Sequence, residues 1–183
     1  MKAFDRVVLM ACLVMLVAVL FSVQTLDKKD TGTEDKESYS IAVNYNQTLE
    51  AMIASGNYDW HSYEINDKNF NVNGTGDVVA IIPKLVHLNK DISSEDILSY
   101  LEEHELRPAN LAELLAFGAI YPGIQQEFPI VALASSWFNY YGLKYVPALT
   151  SDENNKRTLN LIFFDGTWSE HYRFLAVRKQ AMP

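Results

Sequence analysis

The stretch YRFLAVRK, residues 172–179, decides how the last part of this chain folds. Its side chains alternate between two faces with the two-residue period of a β-strand, and an aromatic residue stands at its front. The last residues of a chain fray unless other elements hold them in place. We therefore expect this strand to pair with another part of the chain, with Phe174 and either Ala176 or Val177 facing the core.

Three stretches upstream have the same period, and turn-forming residues separate them. The pair Asp165–Gly166 is typical of a tight hairpin, which predicts that the strands on either side of it pair with each other. The pattern predicts a late run of antiparallel strands, at residues 129–137, 144–149, 158–165 and 172–179.

Helical signals dominate the region before these strands. Thr48, Ser93 and Asn110 each stand where a side chain caps the start of an apolar helical stripe. Gly56 and Gly118 are placed where a helix ends. The first helix is short, so the pattern predicts two main helices, which begin after Ser93 and Asn110.

The stretch VVAIIPKLVHL, residues 78–88, is rich in β-formers and is interrupted by Pro83. A proline cannot donate a hydrogen bond inside a sheet, so this stretch is either an edge strand or two short strands. Helices followed by a run of antiparallel strands predict one domain of the α+β class.

The composition excludes some functions. The net charge is −8 and the basic residues cluster only in short pairs, so no contiguous basic face is expected for nucleic acid. Aromatic residues make up 12% of the chain, which argues against disorder. Cys12 is the single cysteine, so neither an intrachain disulfide nor a cysteine metal site can form. Arg173 and Arg178 are interpreted as charges at the rim of a sheet.

An uncharged apolar run at residues 7–23 follows Lys2 and Arg6. Its length is at the lower limit for a membrane-spanning helix, which needs about 17–25 residues. No A-x-A site follows, so we predict an uncleaved signal anchor, with a cleaved signal peptide as the alternative. Lysine and arginine stand on both sides of the run and do not fix its orientation.

The polar stretch after the run, residues 24–40, is predicted to form a solvated stalk. Because a long domain behind a single N-terminal span usually crosses the membrane, we expect the domain outside the cytoplasm, or secreted if the segment is cleaved. The predicted order is a cytoplasmic segment at 1–6, an anchor at 7–23, a stalk at 24–40 and the domain at 41–180.

Two motifs carry a resemblance to a known fold. The stretch RPAN at 107–110, with Glu113, and the closing RFLAVRK resemble the C-type-lectin-like fold, in the branch of formylglycine-generating-enzyme-like domains and variable proteins of diversity-generating retroelements. Asn110 replaces the usual threonine and still caps. Residues 57–179 also look like a family of small uncharacterised bacterial proteins that share YDW, ISSEDIL and RFLAVRK.

The resemblance implies that the last strand returns to close the domain beside its first strand. That first strand is either 39–44 or a part of 78–88. It also implies that the loops and late strands form a ligand face, which is diversified in the retroelement relatives.

The resemblance implies no catalytic residues. The cysteine pair of formylglycine-generating enzymes, the histidine cluster of ergothioneine-type relatives and the calcium motifs of lectins have no counterpart in the domain. The stretch EEHE, residues 102–105, is interpreted as a solvated helix end. We therefore predict no catalytic residue, no metal and no cofactor.

Aromatic and amide side chains crowd the predicted loops between the late strands, as they do in adaptable binding surfaces. For Trp168, as for Trp137 and Tyr145, a place in the core or in a hairpin is the competing interpretation. The candidate ligand-binding residues are Asn139, Tyr140, Tyr141, Asn154, Asn155, Arg157, Trp168, Glu170 and His171.

The sequence therefore predicts a membrane-anchored, extracytoplasmic module that binds a protein or glycan and has no catalytic activity. An enzyme with a histidine–carboxylate site assembled from distant residues is one alternative. A structural or accessory envelope protein is another.

Overall fold

A computed structural model describes residues 38–72 and 77–179. The described residues form an α+β domain, which confirms the predicted class. Its helices are α1 (Leu49–Gly56), α2 (Ser94–Glu103), α3 (Leu111–Ile120) and α4 (Ile124–Glu127). Its strands are β1 (Ile41–Asn44), β2 (Trp60–His61), β3 (Val78–Ile81), β4 (Lys84–Val86), β5 (Ile92–Ser93), β6 (Leu106–Pro108), β7 (Ile130–Val131), β8 (Trp137–Phe138), β9 (Lys144–Ser151), β10 (Arg157–Phe163), β11 (Thr167–Trp168) and β12 (Arg173–Arg178).

Eight strands form the main sheet. Six of them follow the order β2-β10-β9-β7-β12-β4, while β6 pairs with β12 and β8 pairs with β9. The predicted run of antiparallel strands is only partly right, because β2 runs parallel to β10 and β7 runs parallel to β12. The sheet is therefore mixed.

The closing strand β12 lies inside this sheet. It pairs with β4, β6 and β7, and its four central residues are buried. Leu175 and Val177 belong to one apolar cluster, and Phe174 and Ala176 belong to the other. The predicted pairing is confirmed, and burial of both faces explains why the stretch contains four successive apolar residues.

One of the three strands that pair with β12 is β4, which lies in 78–88, the second of the two predicted alternatives. Val86 is opposite Phe174 in the antiparallel ladder. The first alternative, 39–44, forms β1, which pairs with β3 in a separate ribbon. Pro83 separates β3 from β4, as predicted, and places the two short strands in different sheets.

The hairpin predicted at Asp165–Gly166 does not form. The chain turns there, but β10 pairs with β9 on one side, and β11 pairs with β5. A turn sequence fixes only the local reversal, whereas the partners of each strand depend on the rest of the domain.

The predicted caps form. The hydroxyl of Thr48 accepts a hydrogen bond from the N–H of Ala51 at 3.2 Å, and the hydroxyl of Ser93 accepts one from Asp96 at 3.1 Å. Asn110 and Glu113 form a reciprocal capping box at the start of α3. Each cap satisfies an N–H that has no partner inside its helix.

The two glycines that were predicted to mark helix ends both lie within their helices. Gly56 is the last residue of α1, and Asn57 takes the left-handed conformation with φ 47°. Gly118 lies inside α3, where a Cβ atom would approach the hydroxyl of Tyr58 to 2.4 Å. Both glycines are required by close packing against Tyr58 rather than by a turn.

Two apolar layers cover the main sheet. Helices α1 and α3 and the β1–β3 ribbon contribute to the first, and α2 contributes to the second. Tyr39 also belongs to the first layer, where its ring meets Phe117 at 5.1 Å and Tyr121 at 5.0 Å. The packed domain thus begins slightly before the predicted boundary at residue 41.

The predicted segments at 1–6 and 7–23 and most of the stalk at 24–40 lie outside the described residues. Across 38–72 and 77–179, none of the helices has the length and apolar character needed to cross a bilayer.

Candidate functional site

The segment between β8 and β9, residues 139–143, is a closed turn that we call the tyrosine turn. The N–H of Asn139 donates to the carbonyl of Leu143 at 3.0 Å, and the N–H of Gly142 donates to the carbonyl of Asn139 at 2.9 Å. The side-chain oxygen of Asn139 accepts from the N–H groups of Tyr141 and Leu143. Gly142 has φ 76°, a conformation that glycine adopts without strain. The turn is therefore fixed by its own hydrogen bonds.

Two tyrosine side chains project from this turn. Tyr140 is 96% exposed and Tyr141 is 82% exposed, and their rings meet edge to face at 5.4 Å. Phe138 on β8 and Leu143 at the end of the turn are also exposed. Adjacent exposed apolar side chains on a protein surface are typical of an interaction site.

A row of aromatic rings supports the base of the turn. Trp137, Tyr145 and Phe163 lie opposite one another on β8, β9 and β10. The ring centroids are 5.8 Å apart in both steps of the row. On the other face of the sheet, the ammonium of Lys144 lies 3.6 Å from the ring of Phe164. Cross-strand aromatic contacts of this kind stabilise a sheet.

Asn154 and Asn155 lie in the loop between β9 and β10, at the opposite end of β9. The side chain of Asp152 accepts from the N–H groups of Asn154 and Lys156 at 2.8 Å, and Asn155 has φ 61°. At about 3.3 Å per residue, the eight residues of β9 hold this loop roughly 25 Å from the tyrosine turn. These predicted site residues are exposed, but they do not share one surface with Tyr140 and Tyr141.

The side chain of Arg157 is held by hydrogen bonds within the domain. Its guanidinium donates to the carbonyls of Gly56 at 2.6 Å and Gly118 at 2.7 Å, and to the side-chain oxygen of Gln125. These carbonyls lie in the last turns of α1 and α3, where a cation is favoured by the helix dipole. Arg157, which was predicted to bind a ligand, is half-buried, and its donors are used by two helix ends and by Gln125.

Trp168 is buried, with 2% of its surface exposed. Its ring nitrogen donates to the hydroxyl of Ser94 at 2.8 Å, and that hydroxyl donates to the carbonyl of Phe164. The competing interpretation, a core tryptophan, is the correct one. Trp168 contributes nothing to an exposed ligand face.

Glu170 and His171 are exposed, in the segment that leads into β12. The carbonyl of Glu170 lies 2.9 Å from Nε2 of His87, and its N–H donates to Asp91 at 3.2 Å. In the described ranges, no group of three or more histidine, cysteine, aspartate or glutamate residues is arranged to hold a metal ion.

A groove of about 160 Å³ lies between β1, α1 and α3. Its walls are mostly small apolar side chains, with Asn44, Gln47 and Ser55 at its polar part. The sequence did not indicate it because its lining comes from three separate segments. None of its lining residues is charged, so it offers no acid–base group.

The comparisons with known proteins are negative: no family model, no curated protein and no solved structure matches the chain.

Proposed function

We propose that this chain is a non-catalytic recognition module that binds a partner protein through the tyrosine turn. The observation that carries this proposal is the exposure of Tyr140 (96%) and Tyr141 (82%) on a turn fixed by its own hydrogen bonds. The other candidate residues are scattered or are used by the fold.

A rigid turn lowers the cost of binding. Tyrosine has few rotatable bonds and a large apolar ring, so it gives much contact area for little lost entropy. The hydrogen bonds of Asn139 already order the backbone that carries both rings. Binding therefore does not have to order a loop, which is the usual reason why loop-mediated affinity is low.

The polar groups of the turn favour a protein over a glycan as partner. The side-chain oxygen of Asn139 is occupied by two N–H groups, so it is not available to accept a hydrogen bond from a glycan hydroxyl. Phe138 and Leu143 extend the surface with apolar area. An aromatic anchor with an apolar border is typical of protein interfaces.

The membrane anchor at 7–23, the position outside the cytoplasm and the C-type-lectin-like fold belong to the same proposal. The anchor is supported by the uncharged apolar run in the sequence. The fold is supported by RPAN at 107–110 entering a helix whose buried Glu113 pairs with Arg107, and by a closing strand held inside the sheet.

Affinity enrichment with the full chain tests the proposal. The bait is compared with the double variant Tyr140→Ser/Tyr141→Ser and with Tyr63→Ser, which removes an 80% exposed tyrosine elsewhere. We expect at least one protein to bind the wild-type chain and Tyr63→Ser equally, and to fall about tenfold with the double variant. Identical protein profiles for all three baits contradict the proposal.

A further inference from the structure

Strand β10 has an edge that is covered over only part of its length. Its outer neighbour, β2, pairs with Thr158 and Leu159 and then leaves the sheet. The last contact is the N–H of Ser62, which donates to the carbonyl of Leu159 at 2.9 Å. The rest of β10, up to Phe163, extends beyond β2.

The direction of the backbone groups follows from the neighbouring hydrogen bonds. The backbone carbonyl of Leu159 points towards β2, where it accepts from the N–H of Ser62. The N–H of Phe164 points towards β9, where it donates to the carbonyl of Lys144 at 2.9 Å. Backbone groups alternate along a strand. Leu161 and Phe163 therefore direct their N–H and C=O groups to the open edge.

These four groups have no backbone partner among residues 38–72 and 77–179. The segment is Asn-Leu-Ile-Phe, without the charges, prolines or glycines that usually protect an edge from pairing. Phe163 is 38% exposed and ends the aromatic row that begins at Trp137. Alternating free donors and acceptors beside apolar side chains are matched by another strand, and not by a lipid or a sugar.

We propose that this edge pairs with the same edge of a second copy of the chain. A two-fold antiparallel pairing that sets Leu161 opposite Phe163 of the second copy forms four hydrogen bonds. It satisfies the two N–H and two C=O groups of each copy, and β2 prevents the pairing from extending past Leu161. The edge is therefore complementary to itself, as a two-fold interface requires.

The pairing sets Ile162 opposite Ile162 of the second copy, next to the two-fold axis. Opposed residues of this non-hydrogen-bonded kind have Cα atoms about 4.5 Å apart, within the range of a disulfide. The dimer also joins two main sheets edge to edge. If the tyrosine turn binds a partner as proposed above, the dimer carries two such turns, and a partner with two binding sites is held by both.

Cysteine cross-linking in the full chain tests the inference. The variant Cys12→Ser/Ile162→Cys is compared with Cys12→Ser/Ile120→Cys, which places the thiol on the exposed end of α3. Under mild oxidation we expect about tenfold more disulfide-linked dimer from position 162 than from position 120. Adding Phe163→Lys removes the dimer, because each copy then brings a charge to the edge, whereas Val78→Lys on the β1–β3 ribbon leaves it unchanged.

Amide hydrogen exchange is an independent test of the edge pairing and needs no substitution. With rising protein concentration, the amides of Leu161 and Phe163 become protected, while those of Asn160 and Ile162, which face β9, do not change. No dimer from position 162, equal yields from 162 and 120, or exchange at Leu161 and Phe163 that is independent of concentration overturns the inference. None of these outcomes depends on the tyrosine turn.

Discussion

The guanidinium of Arg107 donates two hydrogen bonds to the carboxylate of Glu113, 2.6 and 2.9 Å long, and Glu113 has no exposed surface. The same carboxylate accepts the N–H of Asn110 at 2.9 Å. The hydrogen bonds that Arg107 donates to Glu113 raise the pKa of the Arg107 guanidinium above its ordinary value. One buried carboxylate thus joins β6 to the start of α3, and only Ala109 and Asn110 lie between the two elements.

We expect Arg107→Ala to destabilise the domain by about 3 kcal/mol, because it leaves a buried carboxylate without its cation. Arg107→Lys restores only part of this loss, since an ammonium cannot donate in the same two-pronged geometry. Urea unfolding of the three proteins measures both effects. A loss below about 1 kcal/mol for Arg107→Ala shows that the pair is not needed for stability.

The hydroxyl of Tyr58 is buried without a hydrogen-bond partner in the described part of the chain. Removing an unsatisfied buried group relieves its desolvation cost, so Tyr58→Phe is expected to be neutral or more stable by about 1 kcal/mol. A clear loss of stability in thermal unfolding means that the hydroxyl has a partner.

The same residue predicts a pH dependence. Burial raises the pKa of the Tyr58 phenol, and the nearby charge of Arg157 only partly opposes this. In the unfolded chain the phenol ionises near pH 10, so the folded state loses stability as the pH rises above about 10. The loss is smaller in Tyr58→Phe. Equal alkaline unfolding curves for the two proteins contradict this prediction.

Gly118→Ala is expected to destabilise α3 by about 1–3 kcal/mol although alanine is the better helix former. A Cβ atom there approaches the Tyr58 hydroxyl to 2.4 Å and a Leu149 methyl to 2.8 Å. Gly123→Ala is the matched control, since nothing lies within 4 Å of its added Cβ. Adding Tyr58→Phe recovers part of the Gly118→Ala loss. Equal stability of the Gly118 and Gly123 variants in denaturant is the opposing result.

Ser94→Ala leaves the ring N–H of Trp168 buried without an acceptor and is expected to cost about 1–3 kcal/mol. Binding through the tyrosine turn is unchanged in this variant as long as the domain stays folded. Chemical unfolding followed by tryptophan fluorescence measures the loss. Unaltered stability together with impaired binding would contradict this prediction and show that Trp168 contributes to ligand binding.

The features that the sequence predicted well are local ones. A cap needs only the residues of one helical turn, so Thr48, Ser93 and Asn110 were recognisable. Tyr140 and Tyr141 were recognisable as exposed because a polar residue and a glycine flank them in a turn.

The features that it missed depend on distant contacts. Arg157 and Trp168 stand among residues predicted to form loops, but both lie in strands, and their partners, Gly118 and Ser94, lie tens of residues away in the chain. Gly118 resembles a helix end because the reason for it, the ring of Tyr58, belongs to another segment. Composition alone does not separate a residue that the fold uses from an exposed one.

Photo-cross-linking in intact cells tests recognition by the tyrosine turn most directly. A photoreactive phenylalanine replaces Leu143, which borders the two tyrosines, and in a matched protein it replaces Tyr63. We predict one protein adduct of defined size from position 143, none of that size from position 63, and its loss when Tyr140→Ser/Tyr141→Ser is added. The same adducts from both positions, or an adduct that survives the double substitution, contradict recognition through this turn.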